Sequence, residues 1–192
     1  MSHRTIKTTA AAIAAAAAMF LCAQSAHAQA SNLSLTGAEY FAALGTSDMG
    51  YSSSGLAIRL GVDSAPIVPL GPVNIGATAF YTHTSSTYDY SYYYSCKWNY
   101  AAHIFSAGPT LNLPLSNTRL TFQGRLTGSY SILSASVDCG GANYTYAADS
   151  GSTFKIGFGG GVKYKLTDKI TLRADWDDSA YSTFSVGVGI KF

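Results

Sequence analysis

The feature that most constrains this chain is the strict two-residue alternation of its last ten residues. Phe184, Val186, Val188, Ile190 and Phe192 fall on one face, and Thr183, Ser185, Gly187, Gly189 and Lys191 on the other. A period of two is the signature of a strand, because successive side chains of extended backbone point to opposite sides. Ten residues is also about the length of a tilted membrane-spanning strand.

Seven further segments repeat the pattern. Ile170, Leu172, Ala174 and Trp176 alternate with Thr171, Arg173 and Asp175, and the segment from Phe154 to Leu166 alternates with Lys155, Lys163, Lys165 and three glycines, Gly157, Gly159 and Gly161. Leu120 to Ile132 carries Arg125 on its polar side, Leu56 to Val62 carries Arg59 with Asp63 following, and Val73 to Tyr81 opposes Asn74, Thr78 and Thr82. Less regular strands are read around Thr36–Leu44, with Glu39 on the polar side, and around Ala101–Leu113.

The connections come in two kinds. Pro66–Pro72, Pro114–Thr118 and Thr167–Lys169 are short turns, whereas about residues 45–54, 84–99, 136–151 and 177–182 are mostly longer and rich in Ser, Tyr, Gly and Asp. Short and long connections alternate along the chain. That is the expectation for an all-β, eight-stranded, antiparallel up-and-down transmembrane barrel with periplasmic turns and outer loops. A secreted β-sandwich is the rival, with its apolar face as core, but the apolar residues here are bulky at both strand ends. Tyr81, Tyr130, Tyr164 and Trp176 stand where aromatic girdles would lie.

Residues 1–28 read as a cleaved signal peptide: Arg4 and Lys7 precede the alanine-rich run Ala10–Ala23, and Ala26-His27-Ala28 supplies a small-residue cleavage site. Residues 29–192 are then one barrel domain. The full chain has 12 Lys and Arg against 10 Asp and Glu, so losing Arg4 and Lys7 leaves the domain neutral. A neutral chain without a basic stripe excludes nucleic acid as an expected partner.

The stretch Gly159-Gly-Gly-Val-Lys-Tyr-Lys-Leu-Thr-Asp-Lys-Ile-Thr-Leu-Arg-Ala-Asp-Trp176, followed by Phe184 to Phe192, resembles the small outer-membrane barrel superfamily of OmpA-like and OmpX-like domains. The resemblance implies residence in the outer membrane of a Gram-negative type of envelope, with outer-membrane lipid as surroundings. It also implies that Phe184, Val186, Val188, Ile190 and Phe192 are read by the barrel-assembly machinery. It specifies a fold and an insertion route, not a reaction.

Eight strands enclose a lumen that side chains fill. The inward set, Glu39, Arg59, Asp63, Arg125, Lys155, Lys163, Arg173 and Asp175, has both signs, and buried charges require partners. A salt-bridged plug is therefore expected. Gly157, Gly159, Gly161, Gly187 and Gly189 leave space beside it, either for side chains from the opposite wall or for a narrow channel.

Cys96 and Cys139 both fall in predicted outer loops, and an oxidising compartment favours a disulfide over free thiols. The loop Ser85–Tyr100 carries Tyr88, Tyr90, Tyr92, Tyr93, Tyr94 and Trp98, either as a contact surface or as strands extended beyond the membrane. No cofactor, metal or catalytic residue is assigned. His83-Thr84-Ser85 has the His and Ser spacing of barrel-form lipid A deacylases, but Ser86 stands where that family has asparagine. The expected function is non-enzymatic surface contact, in adhesion, defence or envelope integrity, through a host or cell-surface partner. The alternatives are a narrow pore or carrier for a small solute and, third, a lipid A-modifying hydrolase.

Overall fold

Ten-rung pairing between the first and last strands brings the two ends of the sheet together. In the computed structural model, residues 37–50, 54–91, 95–139 and 146–191 are described, with only the backbone of 90, 91, 95 and 146–150. The expected signal peptide and Phe192 lie outside these residues.

The strands are β1 (Glu39–Asp48), β2 (Ser54–Asp63), β3 (Val68–Leu70), β4 (Val73–Ser91), β5 (Ser95–Pro114), β6 (Leu120–Cys139), β7 (Tyr146–Lys165), β8 (Ile170–Asp178) and β9 (Ser182–Lys191). Each pairs antiparallel with its sequence neighbour around the wall, except that β2 and β3 both pair with β4. These two form one interrupted wall element. Ser64 N donates to Ala77 O (2.8 Å) and Ile67 N to Ile75 O (2.8 Å), so the ladder continues across the break. With β1 joined to β9, the sheet is a closed eight-stranded antiparallel barrel.

The burial pattern is inverted relative to a water-soluble fold. Large apolar side chains such as Leu44, Leu111, Leu126, Phe158 and Val186 are more than half exposed, whereas the largest fully buried side chains are all polar, from Arg59 and Arg173 down to Ser129 and Ser185. A sandwich would bury the apolar face, so that rival is rejected. Outward apolar residues without a partner need hydrocarbon around them. Tyr130, Tyr164 and Trp176 are outward and exposed, as expected for girdle positions.

The strand ends differ from expectation. β4, β5, β6 and β7 run 19, 20, 20 and 20 residues, against 9 or 10 for β1, β2, β8 and β9. Most of the expected outer loops 84–99 and 136–151 is therefore strand. Thr87 pairs with Asn99 and Tyr88 with Trp98, continuing the ladder outward. Above the membrane neither face meets lipid, so the apolar alternation fades while pairing persists. The first strand likewise runs on to Asp48 rather than ending at Leu44, and the expected turn Pro66–Pro72 contains β3, with its reversal at Gly71 (φ 61°).

Cys96 and Cys139 are directly opposite in the β5–β6 register and are joined as a disulfide. They are strand residues rather than loop residues, and the bond crosses the far end of the projecting hairpins. Mass spectrometry after alkylation without reductant is expected to find both residues unmodified. Full alkylation of the untreated protein would contradict the pairing.

Candidate functional site

The interior is organised around Arg173, placed inward on β8 by the same parity that sends Leu172 and Ala174 outward. Its Nε donates to Asp175 Oδ2 at 2.6 Å, and its Nη1 to Asp63 Oδ2 at 3.1 Å and Glu39 Oε1 at 3.5 Å. Lys163 on β7 bonds the same Asp63 and lies 3.2 Å from Glu39. Arg125 on β6 reaches Asp175 at 2.8 Å and approaches Asp177 at 3.8 Å. The buried charged residues are Arg59, Arg125, Lys163 and Arg173 against Glu39, Asp63, Asp175 and Asp177, so the described lumen balances four positive charges with four negative.

Two aromatic side chains complete the network. The Arg173 guanidinium lies 3.5 Å above the Phe41 ring, and those of Arg59 and Arg125 lie 4.5 and 5.5 Å from the Phe80 ring. Arg59 also donates Nε to Thr82 Oγ1 at 3.2 Å. Gln123 donates to Asn112 (3.1 Å) and accepts from Arg173 (3.5 Å).

The inward glycines make room for these groups. A Cβ on Gly159 would stand 2.9 Å from Arg125 Nε, one on Gly161 would strike the Asp175 carboxylate, and one on Gly189 would stand 2.5 Å from Glu39 Oε1. The space at Gly159, Gly161 and Gly189 is filled by charged side chains of the plug, whereas Gly157 abuts Ser179 and Gly187 abuts the backbone of Ala42 and Ala43. At the periplasmic end a polar recess of about 190 Å³ stops on Glu39, Asp63 and Lys163. At the outer end Met49 and Ala180, from the connections after β1 and β8, pack on inward Ala102 and Ile104.

Glu39, Arg59, Asp63, Arg125, Lys163, Arg173 and Asp175, inward by sequence parity, are buried in the structure. Lys155 is a correction. β8 ends at Asp178, opposite Phe158, so β7 beyond that point has no strand partner on that side. Lys155 is exposed there, with Nζ 3.4 Å from Ala180 O. Asp177 was missed because residues 177–182 read as loop, although it shares parity with Arg173 and Asp175. Phe41 and Phe80 are not legible as lumen residues in the sequence, because a bulky apolar side chain on the polar parity reads as a break in the alternation.

Of the aromatic set, Tyr88 is exposed and Trp98 half-buried on strands, Trp98 stacking on Tyr100 at 6.2 Å. The Tyr90 side chain and Tyr92, Tyr93 and Tyr94 lie outside the described residues. Phe184, Val186, Val188 and Ile190 face outward from β9. His83 and Ser85 share the outward face of β4, but His83 Nδ1 is buried without a hydrogen-bond partner. No carboxylate orients that ring among the described residues.

The outer membrane protein beta-barrel domain matches residues 13–192. The chain belongs to that family. As a member of this outer-membrane barrel family it resides in the outer membrane, where its apolar exterior faces lipid. No curated protein sequence matches it. Among solved structures it is similar to Ail, the attachment invasion locus protein of Yersinia pestis, in complex with the heparin analogue sucrose octasulfate: 15% identity, TM-score 0.54, 82% of this chain and 99% of that one. A second structure of Ail from Yersinia pestis gives TM-score 0.51 at 15% identity over 82% and 99%. A de novo designed transmembrane β-barrel gives TM-score 0.50 at 12% identity over 83% and 98%. At these identities the likeness is one of fold.

Removing one partner from a buried ionic network strands the others. Arg173→Met is expected to lower stability by about 3–5 kcal/mol in urea unfolding from lipid vesicles. Breaking the exposed, solvent-screened Lys165–Asp168 pair (2.7 Å) by Lys165→Gln should leave the unfolding transition essentially unchanged. Equal effects of the two substitutions would contradict the role given to Arg173.

Proposed function

We propose that this barrel is a non-enzymatic surface-contact protein whose working part is the sheet formed by the outer halves of β4 to β7. The observation that carries the reading is strand length. Twenty residues at ~3.3 Å each, tilted by about 40°, rise roughly 50 Å, about twice the ~25 Å apolar band of such barrels. Half of the barrel wall therefore stands clear of the bilayer, held together by the Cys96–Cys139 bond.

Its chemistry narrows the partner. The described charges at this end are Lys97 and Lys155 against Asp48, Asp89, Asp138 and Asp178, and the sequence at 51–53, 92–94 and 140–145 contains no charged residue. Aromatic groups, Tyr88 and Trp98 among them, are concentrated in the same region. Ail is described with a heparin analogue, a polyanion. An outer end with excess negative charge favours instead a neutral or basic protein surface that packs against tyrosine.

A filled lumen speaks against the alternative of a solute pore. Among the described residues, the His83 and Ser85 pair lacks the orienting acid that hydrolysis needs.

Replacing residues 86–99 by a two-residue turn tests the proposal. The shortened protein is expected to insert normally, as judged by heat-modifiable mobility, while cells carrying it lose adherence to host-cell or bacterial surfaces bound by the intact protein. Undiminished adherence of correctly inserted protein would overturn it.

A further inference from the structure

Outside residues 1–28 the sequence contains two histidines, His83 and His103. The β4–β5 register sets them directly opposite each other. Their ring centroids are 4.9 Å apart, with the planes tilted by 40°. Both rings are half-buried on the outward face, flanked in the same row by Ile58 on β2 and Ile132 on β6.

Height along the barrel locates the pair. His83 is ten residues above Val73 on β4, and His103 ten residues above Leu113 on β5. Ten tilted residues rise roughly 25 Å, so both rings lie at the outer edge of the apolar band, where lipid headgroups begin.

We propose that His83 and His103 form a two-histidine site for a divalent transition-metal cation such as Zn²⁺. Two imidazoles on one cation, with metal–nitrogen bonds of ~2.0–2.1 Å and ligand angles of about 90–110°, have centroids roughly 4.5–5.2 Å apart. The observed separation lies inside that window. Tyr81 Oη lies 2.6 Å from His103 Nδ1. With Nδ1–H donating to that oxygen, the Nε2 lone pair of His103 is free for the cation, the arrangement in which an outer partner fixes the tautomer of a ligating histidine. His83 Nδ1 is buried without a hydrogen-bond partner, which leaves Nε2 as its accessible nitrogen.

No third His, Cys, Asp or Glu joins them among the described residues, so the site is bidentate and its other positions are open to water. Imidazole ligands favour Zn²⁺, Ni²⁺ or Cu²⁺ over Mg²⁺ or Ca²⁺. Binding would pin β4 to β5 at the level where the projecting hairpin leaves the bilayer.

The test is a ZnCl₂ titration of the full folded barrel in lipid nanodiscs, followed by NMR of isotope-labelled histidine rings. Both rings are expected to respond with one common affinity. His83→Asn should abolish the response of His103, and Tyr81→Phe should weaken binding about tenfold or more while both proteins keep heat-modifiable mobility. No response of either ring at millimolar Zn²⁺, or an undiminished response of His103 in the folded His83→Asn protein, would overturn the site.

Discussion

The barrel depends on a balance of charge in a place where charge is expensive. Arg173 is surrounded by Asp175, Asp63 and Glu39, and all four side chains are almost wholly withdrawn from solvent. A single ion of this kind would be strongly unfavourable, and equal numbers of each sign, locked by short hydrogen bonds, offset the loss of hydration. The network also joins distant parts of the chain: β1, β2, β7 and β8 meet through it, at sequence separations of up to 134 residues. It acts as the core that a soluble β-fold would make from leucine and valine.

That interior determines the rest of the wall. Inward positions facing the plug carry glycine because the guanidinium and carboxylate groups occupy the volume a Cβ would need, as at Gly159 and Gly161. Outward positions are free of packing demands and carry residues suited to hydrocarbon. On the function proposed above, recognition falls to the end of the molecule. With the lumen filled, the surface available for recognition is the wall that rises beyond the membrane, and only β4 to β7 rise far.

Much of this is legible in the sequence because one rule, alternate residues facing alternate sides, governs every strand within the bilayer. Parity alone sends Arg59, Arg125, Arg173 and Asp175 inward and Leu172, Val186 and Ile190 outward. The rule loses its signal where the chain leaves the lipid. Thr87, Asp89, Lys97 and Asn99 are polar on a wet face, so their segment reads as loop although it pairs residue by residue. Asp177 was lost for the same reason, one residue beyond the last clear alternation. The filling of the glycine side is not legible, because it depends on which side chains of the paired strands fold over each glycine, Arg125 and Asp177 at Gly159, Asp175 at Gly161 and Glu39 at Gly189, and that requires three-dimensional register.

The central claim, that the lumen is closed by a charge-balanced plug, is tested most directly by electrical recording of the folded protein in a planar lipid bilayer. The account predicts a flat baseline across the range of applied voltage that the bilayer tolerates. Stable, stepwise conductance of porin size from correctly folded protein would contradict it.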